Sequence, residues 1–389
     1  MKLQIFTYHS VYNFGANLQA LATALFLMKK GHDVELLNFR PKSLDDFYKQ
    51  TVPPKQADCH EYFVKKYLPL SPILLQEEDL KNYLSSQQPD GLILGSDSVL
   101  RVSSRPQSSD QAFGNPFWLK WFDTSDSLKK IPTALLSVSC MGSQYYKLPQ
   151  KFKKQIYNFF KKRNYITVRD YWTSWMIRMI NPFHRLKIYQ NVDPVFILSK
   201  FFDLSKVNLY KFHLPKRYIL YSFSKNLVTK EWMKEFVNYA NDKGIAVVEL
   251  PTPEHWDLKL YSNHKISIPL SPLEWYKIIA NSEGFIGIRF HPIVVCIANS
   301  VPFIAIDNYG STKLSRIGIN FPSKTYDLCY KAGMVHRIIH YTNIEKRSPK
   351  TAVDLLTDRK FIKRRPYESK YQDMFTHHMN RILTVFSKV

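Results

Sequence analysis

Apolar and polar positions near the start of the chain follow the pattern of a strand, a helix and a second strand. Residues 3–8 form a short apolar run, as in a buried strand. Within residues 17–30 apolar side chains recur at helical spacing, and Gly31 follows where that helix should end. Residues 34–39 form the next apolar run. Because the loops between these runs are short, they predict a β-α-β unit with parallel strands and a right-handed crossover.

The same alternation continues through both halves of the chain. Further strands are predicted at 91–95, 131–139, 165–168, 218–222, 245–250, 285–288 and 302–306, and helices at 150–162, 230–243, 272–281 and 292–299. A single core rarely grows beyond about 250–300 residues, so 389 residues predict two domains. We predict an α/β chain with Rossmann-like domains at 1–205 and 206–350 and a cleft between them. A basic helical tail at 351–389 is expected to pack back on the first domain.

The chain is strongly basic, with 55 lysines and arginines against 32 acidic residues and a formal net charge of +23. This charge favours polyanionic partners such as nucleic acid, an anionic membrane or phosphorylated substrates. The four cysteines are far apart and form no CxxC pair, which argues against a zinc ribbon or a disulfide framework. Without a signal-peptide pattern, a cytoplasmic protein is expected, bound peripherally at the inner face of the cytoplasmic membrane.

Residues 287–292 form the strongest candidate site. The pattern predicts a strand that ends near Arg289 and a helix that begins at Pro292, with His291 as the N-cap. A helix N-terminus favours an anion, and a guanidinium binds phosphate or carboxylate in a planar fork. Histidine exchanges protons near neutral pH. The site therefore suits an anionic donor, and the alternative is a capping histidine beside a surface arginine.

Four further segments carry polar residues where a ligand could bind. Arg169 ends a predicted strand, although a simple ion pair with its neighbour Asp170 is an equal alternative. Ser96 and Asp97 follow the strand at 91–95, where a plain turn is the alternative. The loop at 12–19 is not a GxGxxG motif, and its polar side chains suit contact with a sugar. Lys313 lies at another predicted helix start and is a weaker anion-binding candidate.

Taken together, these segments resemble the polysaccharide pyruvyl transferase family. They occur in the family's order and are Asn13-Phe14-Gly15-Ala16-Asn17-Leu18-Gln19-Ala20, Gly95-Ser96-Asp97, Thr167-Val168-Arg169-Asp170, Asp193-Pro194-Val195-Phe196, Ser271-Pro272-Leu273-Glu274, Arg289-Phe290-His291 and Val301-Pro302-Phe303-Ile304. The chain departs from the family where Ser98 follows Asp97, since many relatives have glutamine there. It departs again where Pro292 follows His291, since glycine is usual at that position.

The resemblance implies a two-lobed GT-B-like fold and transfer of a pyruvyl group from phosphoenolpyruvate to a pair of sugar hydroxyls, giving a cyclic ketal. Such a reaction belongs to the synthesis of bacterial capsule, exopolysaccharide or another surface glycan. By position, Arg169, Arg289 and His291 correspond to the donor site, and Lys313 is added as a donor-binding candidate from its predicted helix start. His291 is the expected catalytic acid and Asp97 the expected base. The expected acceptor-binding residues are Asn13, Asn17, Gln19 and Ser96. Neither a metal nor a cofactor is expected.

Two other functions are compatible with parts of the sequence. A nucleotide-sugar glycosyltransferase of the same fold could use Arg289 and His291 to hold a diphosphate. A basic nucleic-acid-binding protein would account for the charge, but no nucleic-acid-binding motif is evident and the basic residues are dispersed. An acceptor on a lipid diphosphate at an anionic membrane fits the charge, and no nucleic-acid partner is expected.

Overall fold

In the computed structural model, the chain divides into two compact units. The structure describes residues 1–102, 112–181, 186–224, 226–254, 264–310, 318–358, 361 and 366–388. The first unit comprises Met1–Thr51, Glu61–Phe202 and Gln372–Val389, and the second comprises Val52–His60 and Asp203–Tyr371. Each unit is built around one parallel sheet, as the alternation of apolar runs and amphipathic helices predicts.

The first sheet has seven parallel strands in the order β3-β2-β1-β4-β5-β6-β7. The elements that begin in this part of the chain are β1 (Lys2–Phe6), α1 (Phe14–Lys29), β2 (Asp33–Phe39), α2 (Lys42–Thr51), α3 (Pro54–Tyr67), β3 (Leu70–Leu74), α4 (Glu77–Gln87), β4 (Gly91–Leu94), α5 (Lys120–Asp123), β5 (Thr133–Val138), α6 (Gln150–Lys161), β6 (Tyr165–Val168), α7 (Tyr171–Ile180), β7 (Tyr189–Gln190) and α8 (Leu198–Phe201). The chain reverses its winding direction between β1 and β4, which are paired from Leu3 opposite Gly91 to Phe6 opposite Leu94. In doubly wound sheets, ligands bind beyond the strand ends at such a reversal.

The second sheet has six parallel strands in the order β10-β9-β8-β11-β12-β13. Its elements, together with the tail, are β8 (Tyr218–Ser222), α9 (Lys230–Asp242), β9 (Ala246–Glu249), β10 (His264–Lys265), α10 (Pro272–Ala280), β11 (Gly284–Gly287), α11 (Phe290–Ala298), β12 (Phe303–Asp307), α12 (Lys324–Lys331), β13 (Ile338–His340), α13 (Pro349–Leu356) and α14 (Pro366–Phe386). Here the winding reverses between β8 and β11. The carboxyl ends of these two strands therefore mark the second place where a ligand is expected.

Continuous apolar strands form the core of each unit. All residues of β4, β5 and β6 are buried, as they are in β8 and β11. Parallel strands covered on both faces by helices require such sequences. Gly91 in β4 is necessary for packing, since a Cβ there would collide with the ring of Phe386 from α14. This close approach fixes the end of the tail helix against the first sheet.

The α/β prediction is confirmed, with two parallel sheets flanked by helices. The observed units differ in detail from the domain ranges predicted above. The segment Val52–His60 is counted with the second unit, where the Gln56 amide exchanges two hydrogen bonds with the backbone of Leu270, at 2.8 and 2.9 Å. The unit boundary also falls within α14, between Tyr371 and Gln372. Among the described residues, no helix is both long and apolar enough to cross a membrane.

Candidate functional site

The loops beyond β1 and β4 are joined by one glutamine from α1. The Gln19 amide nitrogen donates to the Thr7 hydroxyl and the Tyr8 carbonyl, both at 3.0 Å. Its oxygen accepts hydrogen bonds from the Ser96 backbone at 3.3 Å and the Ser96 hydroxyl at 2.8 Å. Gln19 and Ser96 are both fully buried. Their contacts hold the two loops together, and their predicted contact with an acceptor sugar stays a prediction.

The remaining predicted acceptor residues also hold the loop beyond β1. Asn13 is the N-cap of α1, and its side-chain oxygen accepts a hydrogen bond from the Ala16 amide at 3.2 Å. Asn17 is buried and donates to the carbonyls of His9 and Val11. Burial lowers the pKa of His9 and so disfavours a protonated histidine behind this loop. The structure thus gives Asn13 and Asn17 scaffolding contacts, and acceptor binding by either one stays a prediction.

Asp97 belongs to a charged network at the carboxyl ends of β4 and β6. Its Oδ1 accepts a hydrogen bond from Nη2 of Arg169 at 2.8 Å. Nη1 of the same guanidinium donates to Oδ2 of Asp193 at 2.7 Å. The Arg169 side chain is 2% exposed and that of Asp193 is 1% exposed, whereas that of Asp97 is 14% exposed. Asp97 is therefore the member of this network that solvent, or a substrate, can reach.

The charges of this network bear on the donor role predicted for Arg169. Burial of the guanidinium opposes its charge, but the nearby carboxylates of Asp97 and Asp193 outweigh it and raise the pKa of Arg169. A third carboxylate, Asp170, caps α7 by accepting a hydrogen bond from the Thr173 amide at 2.7 Å. One cation thus faces several carboxylates, which leaves little positive potential for an anionic donor. Donor binding by Arg169 stays a prediction, and its observed contacts position Asp97.

In the second unit, Arg289 lies where the sheet reverses its winding. β11 ends at Gly287, whose backbone is so close to β8 that a Cβ would lie 2.6 Å from the Ser222 carbonyl oxygen. Arg289 then adopts extended backbone angles as the N-cap of α11, and its side chain makes no capping hydrogen bond. Its side chain is 35% exposed. The arginine thus places a partly solvated cation at the positive end of a helix.

The start of this helix differs from the prediction. α11 begins at Phe290, so Arg289 is the N-cap, His291 is the second helical residue and Pro292 the third. The predicted start at Pro292 with His291 as N-cap was wrong by two residues, because proline is also tolerated later in the first turn. His291 is largely buried, and its ring packs edge-on against that of Phe290 at 5.2 Å. Arg289 and His291 remain adjacent at the same helix end.

Two charged residues that were not predicted lie beside this helix end. Glu254, which follows β9, has a carboxylate oxygen 3.6 Å from Nη2 of Arg289. Lys324, the first residue of α12, has its ammonium group 4.9 Å from the centre of the Phe290 ring. The sequence feature that could have indicated Lys324 is the preceding Ser323, because serine is a favoured N-cap residue at the start of a helix. The predicted donor residue Lys313 lies outside the described residues, as do the basic residues clustered at 359, 360 and 363–365.

Metal ligands were not expected from the sequence. Within the part of the chain that the structure describes, no three His, Cys, Asp or Glu side chains form a group that could hold a metal ion. The expectation that the reaction needs neither metal nor cofactor stays a prediction. Of the predicted site residues, the structure brings Asp97 and Arg169 together with Asp193 and pairs Arg289 with Glu254.

Solved structures with the same architecture define the class of fold. UDP-GlcNAc 2-epimerase from Methanocaldococcus jannaschii shares 14% identity, with a TM-score of 0.55 over 97% of this chain and 100% of that one. The enzyme of the same name from Neisseria meningitidis, bound to UDP-GlcNAc, shares 11% over all of both chains, with a TM-score of 0.58. A UGT transferase from Siraitia grosvenorii in complex with UDP shares 11% over 99% of each chain, with a TM-score of 0.51. The chain has the GT-B fold of these proteins.

The family is identified by sequence. Residues 13–310 match the sequence model of the polysaccharide pyruvyl transferase family, so the chain belongs to that family. The matched range contains Asp97, Arg169, Asp193, Arg289 and His291. A comparison with curated proteins gives no match. The family is a family of transferases, and membership in it implies a sugar acceptor.

Proposed function

We propose that the protein transfers a pyruvyl group from phosphoenolpyruvate to two hydroxyls of a sugar, forming a cyclic ketal on a bacterial surface glycan such as a capsule or exopolysaccharide. The observation that carries this proposal is Arg289, a partly exposed cation at the N-cap of α11 where the second sheet reverses its winding. An anionic donor gains there from the guanidinium and from the helix dipole. Phosphoenolpyruvate carries both a phosphate and a carboxylate, and either suits the planar fork.

The proposed reaction assigns proton transfer to His291. Its imidazolium would protonate C3 of the enol, which makes C2 electrophilic. One sugar hydroxyl then adds to C2 and loses its proton, and the C2–O bond to phosphate breaks. The second hydroxyl adds to C2, loses its proton and closes the ketal, so the products are the ketal and inorganic phosphate. Asp97 is the proposed base for a hydroxyl proton, and Arg169 holds that carboxylate in position.

Peripheral membrane binding is part of the proposal. The net charge of +23 favours an anionic bilayer, where an acceptor on a lipid diphosphate would be found. Because exposed charges are screened by salt, binding should weaken as the salt concentration rises. Sedimentation with anionic vesicles at low and high salt measures this effect, and equal partition at both concentrations would count against it.

Donor choice is tested by calorimetric titration with phosphoenolpyruvate. Arg289→Ala should weaken binding roughly 10- to 150-fold, since a hydrogen bond to a charged group contributes about 1.5–3 kcal/mol. The matched control is Arg217→Ala, because Arg217 is an exposed arginine of the same unit that is also paired with a carboxylate, Glu283. Saturable binding of a UDP-sugar instead of phosphoenolpyruvate would replace the proposal with a nucleotide-sugar glycosyltransferase.

Turnover tests the role of His291 separately from binding. His291→Ala should lower kcat about 10²- to 10⁴-fold, the usual contribution of a general acid. Arg289→Lys should also reduce turnover, because an ammonium group cannot replace the bidentate fork. Phosphate release from phosphoenolpyruvate, measured with a sugar acceptor, gives both rates, with His336→Ala as an exposed-histidine control in the same unit. Near-normal turnover in His291→Ala would remove that residue from the mechanism.

A further inference from the structure

Helix α7 of the first unit exposes a row of large apolar side chains. Tyr171, Trp175 and Met179 are 42%, 39% and 46% exposed, and they are spaced four residues apart, so they lie along one face. The opposite face is in the core, where Thr173 and Ile177 are buried. Single exposed apolar residues are ordinary on a protein surface, but a contiguous row marks an interaction site.

The neighbouring helix α6 adds positive charge beside this row. α6 and α7 pack against each other, and α6 exposes Lys151, Lys154 and Lys161. None of these lysines has an ion-pair partner among the described residues. Residues 141–180 contain a single acidic residue, Asp170, which is buried as the cap of α7. The two helices therefore present exposed charge of one sign around an apolar row.

We propose that this face, defined by Tyr171, Trp175, Met179, Lys151, Lys154 and Lys161, is the surface that docks on an anionic phospholipid bilayer. Tyrosine and tryptophan have apolar rings with polar tips and are enriched at the membrane interface. Lysines beside them attract anionic headgroups. A helix with an apolar row and basic neighbours lies in the plane of such an interface. The inference rests on the peripheral membrane binding proposed above and assigns it to particular residues.

Charge distinguishes a bilayer from a protein partner on this face. A second copy of the chain would bring the same lysines against themselves, and like charges oppose that association. Protein–protein interfaces are also depleted in lysine, whereas anionic membranes select it. Trp175 is held in place by the Trp172 ring, with the ring centres 5.1 Å apart. This packing restricts the rotamers of Trp175, which lowers the entropic cost of inserting it.

Vesicle sedimentation of the full-length protein tests the assignment. Vesicles of phosphatidylcholine with phosphatidylglycerol are compared with vesicles of phosphatidylcholine alone. Trp175→Ser with Met179→Ser should reduce binding to the anionic vesicles roughly 10-fold or more, from the lost apolar burial. Lys151→Glu with Lys154→Glu should reduce it at least about 30-fold. The tryptophan emission of the wild type should shift to shorter wavelength on binding.

Matched variants elsewhere control for exposure and charge. Tyr210→Ser removes an 86% exposed aromatic residue of the second unit. Lys29→Glu with Lys30→Glu reverses two exposed lysines at the end of α1. Both controls should bind vesicles like the wild type. Equal losses in face and control variants, or none in the face variants, would overturn the assignment. A change of self-association in sedimentation velocity, with vesicle binding intact, would show that the face is an interface between copies.

Donor binding separates failure of this inference from failure of the proposed reaction. The face variants should bind phosphoenolpyruvate like the wild type, because Arg289 and His291 belong to the other unit. Vesicle binding that depends on the face, in a protein that never binds phosphoenolpyruvate, would support the docking surface and overturn the reaction. If donor binding and turnover are normal but the face variants still bind vesicles fully, the reaction is supported and the docking surface is overturned.

Discussion

Two arginines at strand ends, one in each unit, have opposite surroundings. Arg169 follows β6, is 2% exposed and donates hydrogen bonds to Asp97 and Asp193. Arg289 follows β11, is 35% exposed and has a carboxylate oxygen of Glu254 3.6 Å from its Nη2. The Arg169 guanidinium is hydrogen-bonded to carboxylates of the protein. The Arg289 guanidinium retains solvent contact at the positive end of a helix.

The difference shows that an arginine at the end of a buried strand can serve either of two purposes. The carboxylates that bind Arg169 are 72 and 24 residues away in sequence, so no local pattern around Arg169 indicates them. Their presence gives Arg169 contacts that position Asp97, and its binding of the donor stays a prediction. Solvent contact and an excess of positive charge are therefore better indicators of an anion site than position at a strand end.

The largest expected effect on stability comes from Arg169→Ala. This change removes the Arg169 guanidinium from the buried carboxylate of Asp193, and breaking a buried ion pair by removing one partner costs about 3–5 kcal/mol. Arg289→Ala, the matched change in the second unit, should cost under about 0.5 kcal/mol because that side chain is partly solvated. Urea unfolding of both variants measures the two free energies. Similar losses in both would show that the contrast between the arginines has no energetic basis.

The same pair of positions tests the donor role of Arg169. Arg169→Lys keeps the positive charge between the two carboxylates, so it should preserve more stability than alanine. If this variant stays folded and binds phosphoenolpyruvate normally, Arg169 acts by positioning Asp97. Loss of donor binding in a stable Arg169→Lys protein would restore the predicted direct contact, since a lysine cannot supply the bidentate fork.

Much of the fold followed from local pattern. Strand β4 was predicted at 91–95 and is observed as Gly91–Leu94, and α9 was predicted at 230–243 and is observed as Lys230–Asp242. Such elements are determined by periodicity and by their terminating residues, which lie within a few positions of one another. The start of α11 was missed by two residues because Pro292 was taken as the first helical position, whereas it is the third.

The candidate site was less predictable, since its contacts join distant segments. Arg289 and His291 were identified from a strand end and a helix start that are contiguous in sequence. Glu254 was not, because its relation to Arg289 depends on the order of strands in the sheet. The contacts of the Gln19 amide with Thr7, Tyr8 and Ser96 were not predicted either, and its contact with a sugar stays a prediction. Burial of a polar side chain is set by packing, and the polar character of a loop does not reveal it.

Acid should destabilise the protein through its buried histidines, among them His60 of the second unit. Burial lowers the pKa of His60 to about 3. The unfolded chain binds a proton at this residue below about 6.5, whereas the folded chain does so only near pH 3. The unfolded state therefore binds more protons between these values, and stability falls as the pH decreases through this window. From pH 7 to pH 5 this one residue should cost about 2 kcal/mol.

His60→Gln should remove that part of the pH dependence while keeping a side chain of similar size. Urea midpoints at pH 7, 6 and 5 compare it with the wild type and with His336→Gln, an exposed histidine of the same unit. The control should keep the wild-type dependence. If His60→Gln lost as much stability in acid as the wild type, the effect would belong to other groups, such as His9 of the first unit, whose pKa is also lowered by burial.

The smallest expected effect concerns the N-caps of α1 and α11. Asn13 caps α1 through its side chain, so Asn13→Ala should cost about 1 kcal/mol. Asn13→Ser keeps a capping oxygen and should recover most of that loss. Arg289 makes no side-chain capping bond to α11, so its replacement should spare the helix and affect only the donor. Turnover then separates the two possible roles of Asn13. If Asn13→Ser restores both stability and rate, the residue acts as a helix cap. If the Asn13→Ser protein is stable but its rate is reduced, the Asn13 amide is an acceptor ligand.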